Sequence, residues 1–171
     1  RTVIEEYGGK LPDDYQELQK LKGIGSYTAG AIASIAYGKV APAVDGNVLR
    51  VISRVTLSRE DILKQSVKRS MEQEIAAIMP VNRPGAFNQA LMELGAMVCV
   101  PNGEPHCEVC PLKELCLARK KGVVDEIPVK KAKKPRRVEE KTVMIIRDGE
   151  HLAIHKRPPK GLLSGLYELP N

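Results

Sequence analysis

The chain has 171 residues, 43% of them apolar and only 4% aromatic, with 27 Lys and Arg against 21 Asp and Glu. That length holds one well-cored domain and part of a second. Gly, Ser, Lys and Pro break every apolar run before it reaches membrane-spanning length, and no basic segment leads into an apolar one, so neither a spanning helix nor a signal peptide is expected.

The chain starts without Met and stops at Asn171 inside what reads as a strand or turn, the pattern of an excised fragment. Its net charge of +6 is local: ten basic and four acidic residues fall between Arg119 and Lys141, and the remainder is neutral. Runs of this kind are most often solvated linkers, though they also suit a phosphate backbone. All four cysteines lie between Cys99 and Cys116. Clustered thiols without a secretion signal point to a metal or cluster site before disulfides.

In chain order, residues 1–118 read as mainly helical. "LPDDYQELQKL" offers Asp13 or Asp14 as an N-cap and stops at Gly23. Ser26–Tyr37 is small or apolar nearly all round, which predicts a buried central helix. Asp45 is expected to cap a helix running to about Leu57. Ser58 and Asp61 form an S-x-x-D pattern ahead of a helix with Leu63, Val67, Met71, Ile75 and Ile78 at helical spacing. Pro84 can open the next helix, whose Phe87, Leu91, Leu94 and Val98 share a face and deliver Cys99 at its end. Residues 119–141, with Pro128 and Pro135, read as a basic linker. The period then changes. Two short apolar runs flank Asp148-Gly149, which predicts a hairpin and the start of a β-containing domain at 142–171.

Two motifs carry chemistry. In "LKGIGSYTAG", Gly23 and Gly25 permit close backbone approach, and the helix that follows presents free N–H groups and the positive end of its dipole. This suits a phosphate, and it is equally the turn of a plain helical hairpin. The cysteines run Cys99-x7-Cys107-x2-Cys110-x5-Cys116, so four thiolates could close on one centre, either zinc or a [4Fe–4S] cluster.

The glycine turn, followed by "KVAPAVDGNVLRV" and the cysteine tail, resembles the helix-hairpin-helix DNA-repair glycosylases of the endonuclease III and adenine glycosylase group. The resemblance implies that Lys22, Gly23, Ile24, Gly25 and Ser26 grip a DNA backbone phosphate. It implies that Asp45 is the catalytic carboxylate and that Asn47 hydrogen-bonds beside it. It also places a [4Fe–4S] cluster ahead of zinc on Cys99, Cys107, Cys110 and Cys116. The family usually separates its first two cysteines by six residues and this chain by seven; His106 reads as an exposed loop residue rather than a ligand, because four thiolates suffice.

Endonuclease III-type lyases carry a nucleophilic Lys in a "G-x-G-x-K-T-A" string, where this chain has "GIGSYTA" and therefore Tyr27. A phenol forms no Schiff base, so hydrolysis without a lyase step is expected, with Tyr27 buttressing the pocket. Together with the basic linker and "HKRPPKGLLSGLYELP", this resembles the A/G-specific adenine DNA glycosylases. In that family a Nudix-like C-terminal domain reads 8-oxoguanine opposite the target adenine.

The substrate implied is double-stranded DNA with an A:8-oxoguanine or A:G mispair, in a reducing compartment such as the bacterial cytosol. The family's proton-donating Glu precedes Arg1, so the chain alone is expected to be inactive. Two other readings stay open at this point. One is an endonuclease III-like glycosylase for another base, and the other is a non-catalytic DNA-binding module with a zinc-stabilised tail. The sequence sets no oligomeric state.

Overall fold

The computed structural model describes residues 1–131 and 138–171; the middle of the expected linker, 132–137, lies outside the described residues. The chain divides into two compact units between residues 132 and 133.

The first unit is helical. After α1 (Thr2–Tyr7), α2 (Tyr15–Lys20) is capped by Asp14, whose Oδ1 accepts from the Gln16 and Glu17 N–H groups at 2.8 and 2.9 Å. The other cap candidate, Asp13, instead pairs with Lys39 at 3.0 Å. Then α3 (Ser26–Ala31) widens into one π-helical turn over Ile32–Ala36.

The buried central helix is not Ser26–Tyr37, as the sequence predicts. It is α4 (Gly46–Thr56), in which every residue from Val48 to Arg54 is buried. Tyr27, Ile35 and Tyr37 all keep substantial exposure. Small residues on Ser26–Tyr37 serve close approach on one side only: a Cβ on Gly30 would stand 2.0 Å from the Pro42 carbonyl oxygen.

Helix α5 (Gln65–Ile78) starts three residues later than the capping-box pattern suggests. Ser58 and Asp61 cap no helix. Asp61 Oδ1 accepts from the N–H of Leu63 at 3.1 Å and of Lys131 at 3.4 Å, and Ser58 Oγ accepts from Glu60 at 3.4 Å. Short polar side chains bond nearby backbone just as readily in turns. Val67, Met71 and Ile75 are buried as expected, whereas Leu63 and Ile78 are exposed. With Val44, Val48, Val51, Ile52 and Leu91, the buried Val67, Met71 and Ile75 build the main core, and Phe87 and Leu94 pack against it.

Pro84 does open α6 (Pro84–Glu93), which ends in a second π-helical turn, Leu94–Val98, and hands the chain to Cys99. The compact unit continues past residue 118. A helix α7 (Leu117–Lys121) and a 3₁₀ turn (Val124–Glu126) follow, Ile127 is 1% exposed, and the Ile62 N–H donates to the Val129 carbonyl at 3.2 Å. Arg54 draws this segment in by donating to Ile127 O at 2.8 Å and Val124 O at 3.2 Å.

The second unit holds two small antiparallel ladders. β1 (Arg147–Asp148) pairs with β2 (His151–Leu152), and β3 (His155–Lys156) pairs with β4 (Tyr167–Glu168). The expected hairpin is present one residue later than read. Asp148 faces His151, so Gly149 and Glu150 make the turn, with Gly149 at φ 56°. Among the described residues no helix is long and apolar enough to cross a membrane.

Candidate active site and cysteine pocket

The chain enters α4 through a buried strap, Ala41, Ala43 and Val44, and arrives at Asp45 half-buried on the helix mouth. Asp45 is the N-cap. Its Oδ1 accepts from the Val48 N–H at 2.8 Å, and its Oδ2 accepts from the Asn47 side-chain amide at 3.1 Å. Both carboxylate oxygens are thus fixed, yet the residue keeps a solvent-facing side. Asn47 is fixed in turn, since its Oδ1 accepts from Arg50 Nη2 at 2.9 Å. Arg50 is 5% exposed and also donates to the carbonyls of Gly95 and Cys99, both at 2.6 Å. Burial pulls its guanidinium below the usual value, with the facing Cys99 acting the other way.

Tyr27 is brought to neither Asp45 nor Asn47 by a hydrogen bond; its hydroxyl donates to Met92 Sδ at 3.6 Å. In the glycine turn, Gly23 takes φ 91° and Gly25 caps α3 without any side-chain bond. Lys22, Gly23 and Gly25 face solvent, while Ser26 is half-buried. Ile24 anchors the turn by packing on Leu18, Ala29 and Ala33.

The four cysteines are free thiols, each half-buried, and all four line one pocket with Val51, Val55 and Leu94 among its walls. Burial pushes the Cys107 thiol up, and Cys99, Cys116 and Cys110 add to the shift. Arg54 Nη1 donates to Cys99 Sγ at 3.1 Å, and Cys116 Sγ donates to the Arg54 carbonyl at 3.5 Å. Among the described residues no three His, Cys, Asp or Glu groups stand as a ligand set for a single ion. The donor set fits a thiolate-bound group; His106 lines the pocket beside it.

A match to the helix-hairpin-helix motif covers residues 6–35, from the end of α1 through the glycine turn and α3. Across its whole length the chain is 35% identical to the adenine DNA glycosylase of Homo sapiens, and the alignment takes in 100% of this chain and 40% of that protein. The chain is similar over its whole length to adenine DNA glycosylases and carries the helix-hairpin-helix motif.

It spans less than half the length of the curated adenine DNA glycosylases it matches. Two solved structures are similar in fold. A thermostable thymine-DNA glycosylase shares 31% identity at a TM-score of 0.61, over 71% of this chain and 55% of that one. A non-covalent endonuclease III–DNA complex shares 34% identity at 0.58, over 71% and 54%.

Sequence reading missed three residues around this candidate site: Arg50, Arg54 and Asn88. All are buried and polar. The signal was available for the arginines, because "VLRVISRV" sets two cations four apart in an otherwise apolar helix. Asn88 gave none, being an ordinary polar residue beside Phe87.

Proposed function

We propose that this chain is the Asp-bearing part of an adenine DNA glycosylase that hydrolyses the N-glycosidic bond of adenine mispaired with 8-oxoguanine or guanine. The observation that carries the reading is Asp45, half-buried, with both oxygens held by Val48 and Asn47 at the mouth of the central helix.

Adenine must first leave the base stack, which costs a few kcal/mol. As the bond between the base nitrogen and C1′ breaks, its electron pair leaves with adenine and positive charge grows on the deoxyribose. Asp45, already oriented, stabilises that charge by electrostatics or transient capture and then orients the water that attacks C1′. Asn47 keeps the carboxylate from turning away. Tyr27 stands where lyases of this group carry Lys, so adenine is released by hydrolysis alone and the abasic sugar stays in the strand. Lys22, Gly23, Ile24, Gly25 and Ser26 receive a backbone phosphate through an exposed turn and uncapped N–H groups.

The cysteine pocket would hold a [4Fe–4S] cluster on Cys99, Cys107, Cys110 and Cys116, supplying a rigid staple for the 99–116 loop. The preference for the cluster over a single zinc rests on the family resemblance; both groups are held by four thiolates. The second unit, with its hairpins, is read as the start of the Nudix-like domain. The protein is read as acting in the cytosol.

In the resembled family the proton for the leaving adenine comes from outside these 171 residues, so the complete protein is the form to assay. It is expected to release adenine from a duplex with a single A:8-oxoguanine pair, leaving the abasic strand uncut. Release of thymine or an oxidised pyrimidine instead would favour the endonuclease III-like reading, and DNA binding without release of any base would favour a non-catalytic module.

A further inference from the structure

The strap that delivers Asp45 is buried: Ala41, Ala43 and Val44 are at most 2% exposed. Buried irregular backbone must find partners for its N–H and C=O groups, and Pro42 has no N–H to offer. The partner is one side chain on another helix. Asn88 of α6, 1% exposed, accepts from the Ala43 N–H with Oδ1 at 3.1 Å and donates through Nδ2 to the Ala41 carbonyl at 2.9 Å. The carbonyl of one residue and the N–H two residues on lie on the same side of extended chain. Asn88 therefore pairs with the strap as one residue of a parallel strand would.

Its second amide hydrogen goes to Ser34 Oγ at 2.8 Å, on the π-helical turn after α3. Close contacts clamp both flanks. A Cβ on Gly30 would meet Pro42 O at 2.0 Å, and one on Gly85, a turn before Asn88, would meet Ser34 O at 2.8 Å. The strap thus has a single polar tie to the helix beside it, two residues before Asp45.

We propose that Asn88 is a positioning residue for Asp45: its carboxamide sets the height at which the strap enters α4, and so where the carboxylate meets the deoxyribose. The catalytic part of this statement rests on the function proposed above; the positioning part does not. Asn88→Asp keeps an acceptor for Ala43 but turns the Ala41 donor into an acceptor, and Asn88→Leu removes both bonds at similar volume.

In the complete protein, single-turnover adenine excision by both variants is expected to fall about 100-fold, the order of loss that a displacement near 1 Å causes. Duplex affinity and iron content should stay unchanged. Ile75→Ala, a core truncation on α5, provides the control: it lowers thermal stability comparably and leaves the excision rate intact. A rate loss in the Asn88 variants that merely tracks stability, or no loss, overturns the proposal. Hydrogen exchange separates this from the function itself. The Val48 amide reports the cap bond to Asp45 and should lose protection in both Asn88 variants, and the Ala43 amide in Asn88→Leu, while α5 amides do not. Unchanged protection at Val48 overturns positioning even if the protein excises adenine, whereas a wild-type protein inert toward adenine overturns only the proposed substrate.

Discussion

Arg50 Nε donates to the backbone carbonyl of Cys99 at 2.6 Å, joining the helix that Asp45 caps to the residue that opens the cysteine loop. The same guanidinium satisfies Gly95 O and Asn47 Oδ1. Arg50→Met would leave one buried oxygen, Gly95 O, and two part-buried ones without this donor, at about 1–3 kcal/mol for a fully buried group. Urea unfolding is expected to register a loss of about 3 kcal/mol or more. Lys carries one compact charge in place of a planar fork, so Arg50→Lys should recover only part of it. A loss below about 1 kcal/mol for Arg50→Met would contradict the network as described.

Asp45 carries a cap role and a proposed catalytic role, and one substitution separates them. Asn caps helices as well as Asp does, so Asp45→Asn should change stability by less than about 1 kcal/mol. The neutral amide cannot stabilise positive charge on the sugar. Adenine release by the complete protein should therefore vanish while duplex binding persists. Retained release would remove Asp45 from the mechanism.

Much of this architecture was legible in the sequence, and the misses share a physical origin. Asp14, Asp45 and Pro84 announce helix starts because caps and N-terminal prolines act locally. Val67, Met71 and Ile75 announce a buried face because periodicity is local too. The central helix was misassigned because composition reads Ser26–Tyr37 as apolar and α4 as charged. Only tertiary structure reveals that Arg50 and Arg54 spend their charge on interior carbonyls. Ser58 and Asp61 mislead for a related reason: Asp61 bonds Lys131, a partner seventy positions away. For Asn88 the strap it ties is more than forty residues distant, so no window in the sequence contains both.

Gly30 and Gly46 give opposite expectations from the same substitution. A methyl on Gly30 meets Pro42 O at 2.0 Å, and both atoms belong to packed backbone that must separate. Gly30→Ala should cost about 3 kcal/mol, the upper range for overpacking. Gly46 in the first turn of α4 has nothing within 4 Å of its added carbon. There Ala is expected to hold or raise stability by up to about 0.5 kcal/mol through the unfolded chain's entropy. Thermal melts of both variants decide it; equal effects at the two glycines would mean that α3 does not pack on the strap.

Arg54 ties the cysteine pocket to the core through four acceptors: Cys99 Sγ at 3.1 Å, Val100 O at 3.3 Å, Val124 O and Ile127 O. Arg54 thus supplies a hydrogen bond to one of the sulfurs proposed to hold the cluster. The complete protein is expected to contain iron and acid-labile sulfide in equal amounts, with broad visible absorbance and no stoichiometric zinc. Arg54→Met should lose iron on gel filtration and unfold at lower denaturant, because Cys99 Sγ loses its donor and the 124–127 segment loses its anchor. Arg54→Lys keeps the charge without the fork, so it should retain more iron than Arg54→Met yet remain destabilised. Zinc in place of iron in the wild-type protein would reverse the cofactor assignment, and full iron retention by Arg54→Met would show that the sulfur contact is dispensable for binding.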